Sequence, residues 1–196
     1  LAEEEYPEWF GRNVEALKQV QPEPLKPEDI SFVLGSTWIP VKYYQDFMYE
    51  KFATSKHNRD SNIHIEFAEY TGTYFITEKR AERDSIAANK TYGTERLNAY
   101  EIMEYTLNLK TVEVRDRQEY EDPETGEEKV RYVLNKRETL LAREKQAQIK
   151  MEFESWLFAE PERGAALTQL YNDRFNNIRP RTYNGDDLML PDMNDA

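Results

Sequence analysis

The chain has 196 residues, of which 39% are hydrophobic and 13% aromatic, enough to bury one core and too many for a disordered chain although 33% are charged. It has no cysteine, which excludes disulfides and thiolate metal sites, and no apolar run of about 20 residues, so we expect a cytoplasmic protein with no membrane partner. The net charge of −12 argues against tight nucleic-acid binding by the surface as a whole.

The N-terminal stretch, 1–27, is predicted to form a helix followed by a linker. Apolar residues of 1–20 fall near one helical stripe, at Trp9, Phe10, Val14, Leu17 and Val20. Residues 21–27 contain three prolines, which cannot continue a helix. We therefore expect this stretch to precede the main domain.

A first helix-and-hairpin unit is predicted over 35–77. The spacing of apolar residues indicates a helix from about Ile39 to Phe52, with Thr37 as its N-cap. Alternating apolar and polar residues from Asn62 to Thr77 indicate a β-hairpin that turns at Thr71-Gly72. Residues 80–90 are charged and aperiodic, and are predicted to form a loop.

A second unit with the same order of elements is predicted over 93–134. Thr94 precedes the predicted helix, and two strands follow at Thr111–Arg117 and Lys129–Leu134. The turn residues of 122–126 connect the strands. The two units are either a duplication or unrelated segments that share an order of elements.

The C-terminal helices are predicted within 136–178. Asn135 and Glu138 have the spacing of a capping box, in which each side chain bonds a free backbone N–H of the first turn, so a long helix should begin at Lys136. Pro161 suits the first residue of a second helix because its missing N–H is not needed there.

These elements predict the fold class α+β, with antiparallel β-hairpins packed with several helices and ending in a long helix and a second C-terminal helix. A single domain is expected over 28–181. The acidic tail at 182–196 is expected to lead to a following domain. Because the chain begins at Leu1 and not at a methionine, we expect it to be cut from a longer protein.

No residue pattern in the chain indicates catalysis. The sequence contains no glycine-rich phosphate loop, no nucleophile motif and no HExxH. His57 and His64 are the only histidines, and His64 would share a strand face with Glu66. A metal site is one interpretation of these three residues, and adjacent exposed side chains are the interpretation we favour. We therefore predict no catalytic residue, no metal and no cofactor in this segment.

Basic residues outnumber acidic ones only toward the C-terminal end, over 131–181. Arginines alternate with aromatic rings near its end, a mixture typical of phosphate contact and base stacking. The other interpretation is a helix C-terminus with favourable cations, and for the long helix a solvated face. The candidate DNA contacts are Arg174, Arg179, Arg181, Lys136, Arg137, Arg143 and Lys145.

Several stretches resemble one family of very large bacterial proteins from phages and mobile elements. The similar stretches are LGSTWIP (34–40), FMYE (47–50), TYGTERLNAYEIMEYTLN (91–108), VLNKRETLLAREKQAQIKMEFESWLF (133–158), PER (161–163) and YNDRFNNIRPRTYNGDDLMLPDMN (171–194). That family joins an adenine-specific DNA methyltransferase to a Swi/Snf-like helicase motor. The similar region covers nearly all of this chain and lies just before the motor.

The resemblance implies a non-catalytic accessory segment that couples or positions the helicase motor on DNA. It implies the adjoining helicase and methyltransferase domains as partners, with DNA as a further one. ATP and S-adenosylmethionine are implied as cofactors of the parent protein only, because this chain contains neither the methyltransferase's Asn-Pro-Pro-Tyr motif nor the motor's phosphate loop. The alternative, suggested by the charge of −12, is an acidic protein-interaction or DNA-mimic domain.

Overall fold

The computed structural model of the chain describes residues 7–121, 123 and 127–178. These residues fall into two compact units. The larger unit is Ser31–Leu167, and the smaller one contains the described residues up to Ile30 and from Thr168 onward. The fold class is α+β with two separate antiparallel hairpins, as predicted. The boundaries at 28–181 remain a prediction, and the tail at 182–196 lies outside the described residues.

The smaller unit is held together by two asparagine side chains. It contains helix α1 (Pro7–Val20), a 3₁₀ turn (Pro27–Asp29) and the end of the last helix. The Asn172 side chain accepts from the backbone N–H of Leu25 at 2.8 Å and donates to its carbonyl at 3.0 Å. Asn176 donates to the carbonyl of Glu23 at 2.8 Å. Side-chain amides thus fix the extended segment that follows α1.

The first half of the larger unit contains two helices and the first hairpin. They are α2 (Val41–Lys51), α3 (Lys56–Ser61), β1 (Ile65–Ala68) and β2 (Thr73–Ile76). The strands are antiparallel, with Ile65 opposite Ile76. Gly72 has a φ of 64°, which glycine adopts without strain, so the predicted turn is confirmed.

Two predictions about this half were wrong in detail, and one helix was not predicted. The helix α2 begins at Val41 because Pro40, in an extended conformation, precedes it, and Thr37 lies in a turn and does not cap it. Helix α3 was not predicted. The predicted loop at 80–90 contains the start of a π-helical turn, Ala87–Thr91.

The second half of the larger unit begins with helix α4 (Ala99–Leu107). Its N-cap is Asn98, which forms a capping box with Glu101, and not Thr94. The Thr94 hydroxyl accepts instead from the backbone N–H groups of Arg96 and Leu97, at 3.3 and 3.1 Å, in the turn before the helix.

The second hairpin consists of β3 (Arg115–Glu121) and β4 (Glu128–Leu134). Its first strand was predicted to begin at Thr111 but begins four residues later. The reason is that the backbone N–H groups of Val112 and Val114 donate to side chains of the long helix, Gln146 at 3.3 Å and Thr139 at 3.0 Å. A helix thus occupies the bonds that a strand partner would need.

The two C-terminal helices are α5 (Lys136–Leu157) and α6 (Pro161–Phe175), and both predicted starts are confirmed. The side chain of Asn135 accepts from the N–H of Glu138 at 3.0 Å, as an N-cap does, but the N–H of Asn135 donates to the carbonyl of Val114, so only half of the predicted capping box forms. Helix α5 carries Phe153 into the centre of an aromatic core. The Phe153 ring lies 5.3 Å from Tyr44 and 5.2 Å from Phe47, measured between ring centroids.

Candidate nucleic-acid interface

A cavity of about 450 Å³ lies beside the first turns of α5, in the larger unit. Three of its lining residues are cations and two are carboxylates, and the others are small, polar or apolar. The lining residues are Asn89, Lys90, Gly93, Thr94, Glu95, Arg137, Glu138, Leu141 and Lys145. The cavity is thus lined by more basic than acidic residues, although the whole chain has a net charge of −12.

The cavity's cations are positioned by two elements. The first turns of α5 supply Arg137 and Lys145, and the end of the π-helical turn supplies Lys90. Lys145 Nζ donates to the carbonyl of Thr91 at 2.8 Å, which uses one of its three N–H groups. Within the described part of the chain, the side chains of Arg137 and Lys90 have no hydrogen-bond or ion-pair partner.

The floor of the cavity is set by Gly93. A Cβ placed there would lie 2.4 Å from the carbonyl oxygen of Ala88 and 3.1 Å from the Cα of Asn98, so backbone atoms leave no room for a side chain. The glycine therefore permits the π-helical turn and the start of α4 to approach closely, and this approach brings Lys90 near α5.

A second cavity, also about 450 Å³, shares Asn89, Thr94 and Glu95 with the first. It is also lined by three cations, all of them arginines, but two of these are ion-paired. Arg80 Nη2 lies 2.8 Å from Glu101, and Arg96 Nη1 lies 2.7 Å from Asp116. The first cavity is therefore the one whose cations are more available to an anion.

Two carboxyl groups near the second cavity, Asp116 and Glu82, have pKa values below their ordinary range. Hydrogen bonds from Arg96 and Asn135 lower the pKa of Asp116 below its ordinary value. Burial raises the pKa of Glu82, but hydrogen bonds from Ser55 and Asn58 outweigh it, so the net shift is downward. Arg96 is thus paired with a carboxylate whose pKa is lowered, whereas the side chain of Arg137 has no carboxylate partner among the described residues.

The candidate contacts from the sequence fall in different places. Arg137 and Lys145 line the first cavity together. Arg143 does not join them, because its Nε donates to the carbonyl of Val112 at 3.1 Å. Lys136 is exposed at the start of α5, and Arg174 is exposed on the last turn of α6 in the smaller unit. Arg179 and Arg181 lie outside the described residues.

Lys90 was missed by the sequence reasoning because its segment had been interpreted as a plain loop. Its only signal was the glycine three residues later, which marks a close backbone approach.

One of the two histidines has a hydrogen-bond partner: His64 Nδ1 lies 3.1 Å from the hydroxyl of Tyr49. Among the described residues there is no group of three or more histidine or carboxylate side chains that would hold a metal ion.

Across the described ranges, no helix is both long enough and apolar enough to cross a membrane. No curated protein and no solved structure is significantly similar to the chain. A family model described as "Domain of unknown function (DUF8437)" matches residues 33–177, which include the cavity and both hairpins. The match extends over most of the sequence, and the chain therefore belongs to the DUF8437 family.

Proposed function

We propose that this chain is a non-catalytic accessory segment of a bacterial DNA methyltransferase–helicase protein that positions the motor on DNA. The segment contacts the sugar-phosphate backbone through Lys90, Arg137 and Lys145. The observation that carries the proposal is the convergence of these three cations on one cavity in an acidic chain. The resemblance of the sequence to the region before the helicase motor supplies the biological context.

The chemistry of the cavity suits a phosphate group. Arg137 offers a planar fork of N–H donors, and Lys145 keeps two N–H groups beyond its bond to Thr91. Glu95 and Glu138, which also line the cavity, would repel further anions and so limit the contact to the few phosphates that the three cations can reach. Contacts of this kind position a protein on DNA without reading its sequence.

The acidic remainder of the chain favours a modest affinity and a definite orientation. The side that carries the cavity would approach DNA in preference to the rest of the surface, because the chain as a whole is acidic. An accessory segment of a longer protein needs no more than this. The acidic surface also favours the second candidate function, an acidic protein-interaction or DNA-mimic domain, for which a basic protein and not DNA would be the ligand.

The test measures duplex DNA binding by the chain at several salt concentrations, using fluorescence anisotropy. Replacing Lys90, Arg137 and Lys145 by glutamine removes three phosphate contacts, so the slope of log affinity against log salt should flatten by about 2–3 units. The loss should be similar on unrelated DNA sequences.

A matched control removes the same charge elsewhere. Lys56, Lys110 and Lys150 are exposed and lie outside the cavity, and replacing all three by glutamine should change the slope by less than about 1 unit. Equal slopes for the two triple variants, with circular dichroism unchanged, would contradict the proposal. Binding of a basic protein and not of DNA would favour the second candidate.

A further inference from the structure

The outer edge of β3 is an unpaired strand edge. The N–H of Asn135 donates to the carbonyl of Val114 at 2.9 Å, which identifies these residues as a hydrogen-bonded pair at the base of the hairpin. Because bonded and non-bonded pairs alternate in an antiparallel ladder, Asp116, Gln118 and Tyr120 bond to β4. The backbone groups of Arg117 and Glu119 therefore point away from the hairpin.

Little of the described chain covers this edge. Arg96 Nη2 donates to the carbonyl of Arg115 at 3.3 Å, at the base of the hairpin. Beyond that point, the outward N–H and C=O groups of Arg117, Glu119 and Glu121 have no partner within the described residues. An edge of this length is a template for pairing with another strand.

We propose that two copies of this chain associate by pairing their β3 strands antiparallel about Gln118. The sequence of β3 is RDRQEYE, basic at its start and acidic at its end. With Gln118 opposite its own copy, Arg117 lies opposite Glu119 of the second copy, and Arg115 lies opposite Glu121 of the second copy. The two-fold symmetry repeats both pairs, so four opposite-charge pairs form across the new junction.

The charge pattern selects this register over its neighbours. A slide of two residues along either strand moves the two-fold axis to Arg117 or Glu119 and keeps the outward backbone groups in register, but it places Arg117 against Arg117 or Glu119 against Glu119. Like charges directly opposite each other destabilise a strand pair. Charged side chains on an edge usually discourage pairing with other strands, and here they would do so for every partner except a strand with this same pattern.

The outer edge of β4 lacks such complementarity. Its outward residues, in the same alternation, are Glu128, Val130, Tyr132 and Leu134, of which only one is charged. Pairing through β3 would also add strands to the sheet that the hairpin forms. Two strands alone are marginally stable in water, whereas the order β4-β3-β3-β4 makes a four-stranded sheet.

Sedimentation velocity of the full chain, from micromolar to submillimolar concentration, tests the proposal. Wild type should show a reversible monomer–dimer equilibrium that weakens with salt. Replacing Arg115 and Arg117 by glutamate makes the edge wholly acidic, and replacing Glu119 and Glu121 by arginine makes it wholly basic. Each double variant alone should dimerise at least about tenfold more weakly than wild type.

The decisive sample is an equimolar mixture of the two double variants. Every position then faces an opposite charge, so a heterodimer should form at least as readily as the wild-type dimer. Tyr132→Ser, on the β4 edge, should leave the wild-type equilibrium unchanged. The proposal is overturned if wild type stays monomeric, if the mixture does not restore association, or if Tyr132→Ser abolishes the dimer while the charge variants do not.

Discussion

The two hairpins have the same topology and opposite surroundings. In the first, Ile65, Tyr74 and Ile76 are buried, while every strand residue of the second is exposed except Asp116, which is half-buried. The difference extends to the strand edges. The N–H of Ile65 donates to Gln45, and the N–H groups of Tyr74 and Ile76 donate to Asn108 and Glu104.

The first hairpin is thus closed on both edges by side chains of α2, of α4 and of the C-cap of α4, although its sheet contains no third strand from the described part of the chain. The second hairpin has a comparable ladder, but only its base is fastened, by Arg96 and Asn135. Helix side chains can therefore replace strand neighbours where a hairpin belongs to the core. A hairpin without them keeps its edge available to a partner.

The largest expected difference between the hairpins comes from the core beneath the first one. Phe153 is fully buried and contacts Tyr44, whose ring lies 5.7 Å from that of Tyr74 on β2. Phe153→Ala should lower the free energy of unfolding by about 3–5 kcal/mol, measured by urea denaturation. Tyr132→Ala, on the exposed β4, should change it by less than about 0.5 kcal/mol. Similar losses would mean that the second hairpin is also part of the core.

A smaller effect is expected from opening one edge of the first hairpin. The side chain of Asn108 accepts from the N–H of Tyr74 at 2.9 Å and donates to its carbonyl at 2.8 Å. Asn108→Ala leaves these partly buried groups unpaired, which should cost about 1–3 kcal/mol in the same assay. The matched change on the second hairpin, Gln118→Ala, should cost less than about 0.5 kcal/mol. A neutral Asn108→Ala would show that water replaces the amide there.

The smallest effect concerns the base of the second hairpin and depends on pH. Arg96 and Asn135 hold the pKa of Asp116 below its ordinary value. The contribution of this carboxylate to the free energy of unfolding is therefore present above the ordinary pKa and is lost as pH falls through the lowered pKa. An NMR titration of Asp116 should show the low pKa, and Arg96→Gln should move it upward. An identical titration curve in the variant would rule out Arg96 as the cause.

The sequence predicted best those features that are decided locally. Asn135 and Pro161 mark helix starts through the chemistry of one turn, and both were correct. The start of β3 was wrong because Val112 and Val114 bond to residues 34 and 25 positions away, a relation that no local pattern contains. Helix α3 was missed because its six residues, KHNRDS, have no apolar period.

The candidate site was predictable only in part for the same reason. Arg137 and Lys145 were identified from a basic helix, but the charge of that helix did not indicate that Arg143 would be directed to the carbonyl of Val112. Lys90 joins the cavity because Gly93 permits a close backbone approach, which is a tertiary event. The grouping of these cations thus depends on packing between elements distant in sequence.

Hydrogen exchange of individual backbone amides, followed by NMR in a dilute sample, tests the contrast between the two hairpins most directly. The amides of Tyr74 and Ile76 should exchange slowly, because both residues are buried and Asn108 and Glu104 accept from their N–H groups. The amides of Arg117 and Glu119 should exchange nearly as fast as in an unfolded peptide. Equal protection of the two sets would contradict the account, because it would show that the outer edge of β3 is already covered within a single chain.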